Sequence, residues 1–208
     1  MQNYFQFTNQ KYFQTFANRV CIADPNNFAD LQLSPQHLIS CDTSNEGCDG
    51  GNVQQAFVYL MNNGLVPESC FPYQASDSVS CSSKCSDQKA VKASGYCVMN
   101  EPEDAMREIV TNGPILGVMF MSDDILLYKD GLFKAVPTSR AFLDDNKSRM
   151  FGGVTVLGYG SEDGLDYWLV ENAWGPEWGQ NGVAKVLRTP GDGREGGGLW
   201  QAWMFDKK

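Results

Sequence analysis

Histidine is almost absent from this sequence: among 208 residues there is only one, His37. A metal site built from several histidines and a mechanism that needs more than one imidazole are therefore excluded. Basic residues are also scarce, 16 against 25 acidic ones, which gives a formal net charge of −9. This balance disfavours a nucleic-acid partner, because phosphate binding requires a basic face.

Long apolar runs are missing as well. No stretch approaches the ~18 apolar residues that a membrane-spanning helix needs, so we expect no membrane span. Residues 1–7 lack the basic start and the apolar core of a signal peptide. With 42% apolar residues, the chain can nevertheless bury a core without a metal, and we expect no cofactor.

Cysteine is unusually frequent, with seven residues: Cys21, Cys41, Cys48, Cys70, Cys81, Cys85 and Cys97. An odd number leaves at least one thiol outside any intrachain disulfide, and spacing alone does not give the connectivity. Cys81 and Cys85 are spaced like part of a zinc knuckle, but no second close pair and no nearby histidine completes one. Disulfides formed in an oxidising compartment are the better interpretation.

The first third of the chain carries helical patterns. Apolar residues recur at close to a 3.6-residue period from Phe5 to Val20, which predicts a first helix. Ser34-Pro35 predicts the N-terminus of a second helix, with Ser as the N-cap. Asn52 predicts the N-cap of a third, which Asn63-Gly64 ends.

The rest of the chain is predicted to be a disulfide-rich loop region, one short helix and several strands. The helix covers about residues 102–111, with four residues directed inward: Ala105, Met106, Ile109 and Val110. The strands are short and β-branched or aromatic, at residues 115–121, 153–157, 167–171 and 183–187. Residues 136–150 are polar and predict a surface insertion. Helices first and strands second indicate an α+β fold with a helical lobe and a sheet lobe.

Seven segments of the chain resemble the papain-like cysteine proteases, in the neighbourhood of cathepsins B, C and X, in family order and spacing. Residues 33–42 resemble the segment LSxQxLxxCD, and residues 47–51 match the motif GCxGG. The other five segments are residues 17–22, 65–73, 112–114, 157–160 and 167–182. The resemblance implies one α+β papain-like domain over residues 1–208, with two lobes and a cleft between them. The helical lobe would cover about residues 1–95 and the antiparallel β-sheet or barrel lobe about residues 96–208.

The chemistry of this family requires a cysteine thiolate and a histidine imidazole. An asparagine holds the imidazole ring, and a glutamine amide helps to stabilise the oxyanion. By resemblance, the nucleophile position falls on Phe7, the histidine position on Gly152 and the glutamine position at about Met1. Asn172 matches the family asparagine, and Trp174 matches the tryptophan that shields it.

A shifted alignment does not restore the two reacting groups, because residues 1–20 contain no cysteine and His37 is the only histidine. Thr8 or Thr15 as a nucleophile would have no histidine as its base. His37 and Cys41 lie four residues apart on a predicted helix and could touch, but the resemblance makes this cysteine a disulfide partner. We therefore expect no peptidase activity.

Phe7 is expected at the N-terminus of the first helix, where the family places its thiolate. A phenyl ring gains nothing from the positive end of the helix dipole, so its use there would be apolar burial. We expect the ring to narrow the cleft opposite Gly152 or Gly153. The amide of Asn172 would then bond to backbone or water.

The family pattern also implies disulfide partners: Cys41 with Cys81, and Cys70 with Cys85. Three cysteines then have no family partner, namely Cys21, Cys48 and Cys97. Buried thiols are the favoured interpretation of these three, and a bridge among them is the alternative.

Four retained residues match positions that contact substrate in the family: Gly50, Gly51, Trp174 and Trp178. They indicate a peptide bound in the cleft as a short strand, but tight turns and core packing need the same residues. We expect an inactive homologue, or pseudoprotease, that binds a protein or peptide or forms a structural subunit of a larger assembly. The alternative is an active cathepsin-like protease whose sequence is truncated or wrong where the Cys and His belong.

The sequence does not decide between two cellular compartments. Ancestry in this family implies a secretory or lysosomal protein. The missing signal-peptide pattern favours the alternative of an intracellular assembly.

Overall fold

The computed structural model describes residues 6–82, 85, 90–135, 151–188 and 199–206. The chain divides into two compact units, an N-terminal unit of residues 1–97 with 205–208 and a C-terminal unit of residues 98–204. No helix in the described ranges is long and apolar enough to cross a bilayer.

The N-terminal unit is mainly helical. Its helices are α1 (Gln6–Ala23), α2 (Pro25–Phe28), α3 (Pro35–Cys41) and α4 (Val53–Asn62), with a 3-10 turn at Gly47–Asp49. The apolar period predicted for the first helix is confirmed, because α1 buries one face made of Phe13, Phe16, Ala17 and Val20.

Both predicted N-caps are confirmed. Ser34 Oγ accepts a hydrogen bond from the His37 N–H at 3.0 Å and so caps α3. Asn52 Oδ1 accepts from the Gln54 N–H at 2.8 Å and caps α4. Each cap satisfies an N–H group that the first turn of a helix cannot pair internally.

The segment of residues 65–82 has no regular helix or strand, and α3 holds it in place. Gln36 is fully buried; its side chain accepts from the Gln74 N–H at 2.9 Å and donates to the Ser76 carbonyl at 2.6 Å. Ser34 Oγ also donates to the Phe71 carbonyl at 2.5 Å. The buried Gln36 amide thus provides the pairing that a neighbouring strand would give.

Two disulfides bind the same segment, and they are the pairs that the resemblance implied. Cys41 at the end of α3 is bonded to Cys81, with 4.9 Å between the Cα atoms. Cys70 is bonded to Cys85, with 5.3 Å between the Cα atoms. Both separations lie within the usual range for disulfides.

The C-terminal unit is built on a sheet. Its helices are α5 (Pro102–Asn112) and α6 (Asp123–Leu126). The described strands are β1 (Gly95–Met99), β2 (Ile115–Phe120), β3 (Leu132–Phe133), β4 (Phe151–Glu162), β5 (Leu165–Glu171), β6 (Val183–Leu187) and β7 (Leu199–Asp206). They are ordered β1-β7-β2-β4-β5-β6-β3. The central pairs are antiparallel, and β3 runs parallel to β6.

The core of this unit lies on the sheet and is fully closed to solvent at its centre. Its fully buried β-branched side chains include Ile115, Val154, Val156, Val170 and Val186. The predicted strand at residues 183–187 is confirmed to the residue. The predicted strand at residues 153–157 is too short, because β4 extends over Phe151–Glu162.

One predicted core residue is wrong. Val110 is 72% exposed, although we expected it to point inward from the helix that became α5. Ala105 is the buried residue of α5, and Met106 and Ile109 pack against the core. At about 100° per residue, Val110 lies about 140° around α5 from Ala105 and so beyond the edge of the buried face. The predicted insertion at residues 136–150 lies outside the described residues.

Candidate functional site

Gly152, the residue at the expected histidine position, is buried within β4 and paired with Met119 of β2. A side chain on Gly152 would point into the side chain of Met121, which is 7% exposed. An added Cβ would lie 3.0 Å from the Met121 Sδ and 3.1 Å from its Cγ, and closer still to its terminal methyl. Met121 therefore fills the space that an imidazole at residue 152 would enter.

Asn172, the retained family residue, follows directly after β5 and is only 6% exposed. Its N–H donates to the Gly182 carbonyl at 2.9 Å, and its side-chain Oδ1 accepts from the Ala173 N–H at 2.7 Å. The side-chain Nδ2 is buried and donates to no acceptor among the described residues. A buried donor left in this state costs about 1–3 kcal/mol.

The strand register bears on how near Asn172 lies to residue 152. Glu171 pairs with Thr155 in the antiparallel ladder of β5 and β4. The ladder ends at this pair; continued by one step, it would place Asn172 opposite Val154, which is two residues from Gly152. Diagonal neighbours of this kind are about 7–8 Å apart, within reach of long side chains. Glycine at residue 152 has no side chain for the Asn172 amide to contact, and the orienting role of Asn172 stays a prediction.

The two tryptophans form part of the C-terminal core. Trp174 and Trp178 pack edge to face, with 5.1 Å between ring centroids. Trp178 is 7% exposed, and its Nε1 donates to the Ile125 carbonyl at 2.9 Å. These contacts give both rings a packing role, and their contact with a peptide stays a prediction.

The two glycines lie at a turn that demands them. Gly50 has φ +114° and Gly51 has φ +156°, a region that other residues rarely adopt. A Cβ on Gly51 would lie 2.7 Å from the Cβ of Asn45, whose Oδ1 accepts from the Asn52 N–H at 2.7 Å. The turn accounts for both glycines, and their binding of a peptide backbone also stays a prediction.

The hypothesis of a His37–Cys41 active site is wrong. Cys41 is committed to its disulfide with Cys81. The imidazole of His37 contacts the rings of Tyr59 and Phe71, and its Nδ1 accepts a hydrogen bond from the Val66 N–H at 3.4 Å. Burial lowers the pKa of His37. This histidine is a packing residue of the N-terminal unit.

The alternative threonine nucleophiles gain no support. Thr15 is fully buried, and its Oγ1 donates to the Lys11 carbonyl at 2.8 Å. The backbone of Phe7 lies in the first turn of α1. The side chains of Phe7 and Thr8 are outside the described part of the chain, so the proposed plugging of the cleft stays a prediction.

Three cysteines lie outside the disulfides, and no bridge joins them. Cys48 is buried, as expected of a packing thiol. Cys21 is half-buried, with its Sγ donating to the Ala29 carbonyl at 3.7 Å, and Cys97 is exposed on β1. The prediction of a buried thiol is therefore wrong for Cys97. Within the described ranges, no three His, Cys, Asp or Glu side chains are placed to hold a metal.

Sequence reasoning missed Met121 as a residue of the site. Its apolar character predicted only a buried strand, and no local signal connects it with residue 152. It also missed two buried cations of α1, Lys11 at 5% exposure and Arg19 at 8%.

Residues 13–196 match the family described as papain family cysteine protease. The chain belongs to this family. It is 30% identical to Cathepsin B-like CP3 of Giardia intestinalis over 83% of this chain and 60% of that protein. It is 35% identical to the Cathepsin L-like proteinase of Phaedon cochleariae over 76% of this chain and 47% of that protein. The chain thus spans about half the length of these curated relatives.

The fold is equally that of the papain family. A procathepsin B from Trypanosoma congolense superposes with a TM-score of 0.77 at 25% identity, over 97% of this chain and 69% of that structure. The predicted α+β papain-like fold is confirmed. Papain-family relatives are typically lysosomal or secreted, which agrees coarsely with the expected compartment.

Proposed function

We propose that this chain is a papain-family domain without peptidase activity, which binds a protein or peptide or serves as a structural subunit of an assembly. The observation that carries this proposal is Gly152. The expected position of the catalytic imidazole holds no side chain, and the Met121 thioether fills the adjoining space.

Loss of the imidazole removes most of the rate by itself, because the thiol and the histidine of the family act as one unit. The only histidine, His37, packs within the N-terminal unit, where its Nδ1 accepts a hydrogen bond from the Val66 N–H. The position of Gly152 is internal to the chain, so a longer N-terminus would not change it. The buried Nδ2 of Asn172, which donates to no acceptor among the described residues, supports the loss of an imidazole partner.

The disulfides support an oxidising compartment for the protein. Cys41–Cys81 and Cys70–Cys85 are structural bridges of a kind rarely kept in the cytosol. We therefore favour secretory or lysosomal localisation over an intracellular assembly.

A peptidase assay tests the proposal directly. The protein is incubated with fluorogenic peptide substrates of cathepsins B, C and L, and with a thiol-reactive epoxide probe, beside an active papain-family protease. We expect no turnover and no adduct that depends on native folding. Turnover that the epoxide abolishes would refute the proposal and favour the second candidate, an active protease, to which the similarity with proteinases points.

A binding assay separates the two non-catalytic roles. Fluorescence anisotropy of labelled substrate peptides is measured with this protein, and mass spectrometry checks that the peptides stay intact. Saturable binding of uncut peptide favours a peptide-binding cleft. Absence of binding favours the structural subunit.

A further inference from the structure

A cavity of about 340 Å³ lies within the N-terminal unit, between α1 and the segment of residues 65–82. Its apolar lining includes the buried side chains of Phe13, Ala17 and Leu33. Its polar lining includes Glu68 and Tyr73. An apolar floor with a few convergent polar groups is the usual make-up of a ligand site, and the volume lies in the usual range.

Glu68 is the residue that gives the cavity a chemical preference. One carboxylate oxygen, Oε1, accepts a hydrogen bond from the Tyr73 N–H at 2.7 Å. The other oxygen, Oε2, is buried and accepts from no donor in the described part of the chain. A buried carboxylate oxygen without a donor is costly, and a cationic donor would satisfy it.

The described residues that line the cavity beside Glu68 include no basic side chain that would compete with a ligand for its carboxylate. Glu68 also lines a second, larger cavity of about 720 Å³, together with Asp30 and the amide side chains of Asn26 and Asn27. The described residues that line the two cavities include two carboxylates and no lysine or arginine. The net charge of −9 further attracts positively charged partners.

We propose that this cavity binds a lysine side chain presented by a partner protein, with the aliphatic stem on Phe13, Ala17 and Leu33 and the ammonium at Glu68. Lysine combines an apolar stem with a compact charge at its tip. A single unpaired carboxylate oxygen suits that point charge better than the two-pronged guanidinium of arginine, which favours bidentate acceptors. Tyr73 lines the same cavity, and a phenolic hydroxyl can accept a hydrogen bond from an ammonium group.

Binding requires a small rearrangement, because Oε2 is buried in the ligand-free form. Gln14 and Gln32 are exposed residues of the lining, and neither side chain takes part in a hydrogen bond among the described residues. These two side chains can move aside at little cost, so we place the entrance there. The cavity lining includes none of Gly152, Met121 and Asn172, and the proposal does not depend on the loss of peptidase activity.

The test uses blocked amino acids and NMR spectra of the isotope-labelled full chain. N-acetyl-lysine-methylamide is titrated into the protein. The control ligand is blocked norleucine, which has the aliphatic stem without the ammonium. We expect the lysine derivative to shift the backbone signals of Tyr73, Ala17 and Leu33, with a Kd of about 1 mM for so small a ligand. Blocked norleucine should bind at least about tenfold more weakly, and blocked arginine should also be weaker.

Two variants localise the effect. Glu68→Gln keeps an acceptor for the Tyr73 N–H but replaces the charge, and it should weaken lysine binding at least about tenfold. Asp49→Asn removes one charge from an exposed turn of the same unit and should leave binding unchanged. Equal binding of lysine and norleucine, shifts that map elsewhere, or full binding by Glu68→Gln would overturn the proposal. If Glu68→Gln does not fold, the comparison of ligands on the unaltered protein still decides.

Discussion

A single methyl group added at residue 152 tests whether Met121 fills the old imidazole position. An added Cβ would lie 3.0 Å from Met121 Sδ, well inside the normal contact distance of about 3.5–4.0 Å. Overpacking of this kind costs about 1–3 kcal/mol. Because the thioether is flexible, we expect Gly152→Ala to lower the free energy of unfolding by about 1–2 kcal/mol.

The same strand supplies the matched control. Gly158 also lies in β4, but a Cβ there would meet nothing within 4 Å. Gly158→Ala should therefore leave stability unchanged or raise it by up to about 1 kcal/mol, through the lower entropy of the unfolded chain. The contrast between the two substitutions isolates the contact with Met121 from the general effect of removing a glycine.

A double-mutant cycle completes the experiment. Met121→Ala alone should cost about 2–5 kcal/mol, because it leaves a cavity beside Gly152. With Gly152→Ala added, the new methyl enters vacated space, so we expect a coupling of at least about 1 kcal/mol. Equilibrium unfolding in urea with the disulfides intact gives each value. Additive effects within about 0.5 kcal/mol, or equal stability of the two glycine variants, would contradict our account of the site.

Three further predictions concern stability. Asn172→Ala should change the free energy of unfolding by less than about 1 kcal/mol, because the lost acceptor for Ala173 is offset by removal of the buried Nδ2 donor; a cost above about 2 kcal/mol would show that Nδ2 is bonded. Because burial lowers the pKa of His37, the stability that the neutral imidazole contributes is present above the unfolded pKa of about 6.5 and is lost as pH falls. The free energy of unfolding should therefore fall less from pH 7 to pH 5 in His37→Asn, which keeps an acceptor for the Val66 N–H, than in the unaltered protein. An equal fall in both proteins would contradict this. The two disulfides close loops of 40 and 15 residues. Replacing both cysteines by serine should lower the free energy of unfolding in urea by about 4 kcal/mol for Cys41–Cys81 and by about 3 kcal/mol for Cys70–Cys85. The reverse order would refute the chain-entropy estimate.

Features that depend on neighbouring residues in sequence could be predicted. The Ser34 and Asn52 caps are local signals, and the apolar period of α1 is a property of one helix. The strand at residues 183–187 is short, bounded and β-branched, and it was predicted to the residue. The disulfide partners followed from the family resemblance and not from the spacing of the cysteines.

Features that depend on register between distant segments could not be predicted. The contact between Met121 and Gly152 exists because β2 and β4 pair antiparallel, with Met119 opposite Gly152. The sequence showed that a histidine is missing but not what fills its space. The exposure of Val110 was missed for a simpler reason: the prediction assigned to the buried face of α5 a residue that lies beyond its edge.

Gln36 has a consequence for the order in which the sulfurs oxidise. Its amide binds the carbonyl of Ser76, and Cys41 and Cys81 each lie five residues further along, from 36 to 41 and from 76 to 81. Once the amide has docked, the two sulfurs are joined by a tether of about 10 residues instead of 40. Loop-closure entropy then favours their encounter by about 1.2 kcal/mol, or about eightfold. During oxidative refolding, Gln36→Ala should therefore increase the share of molecules in which Cys41 couples first to the wrong cysteine.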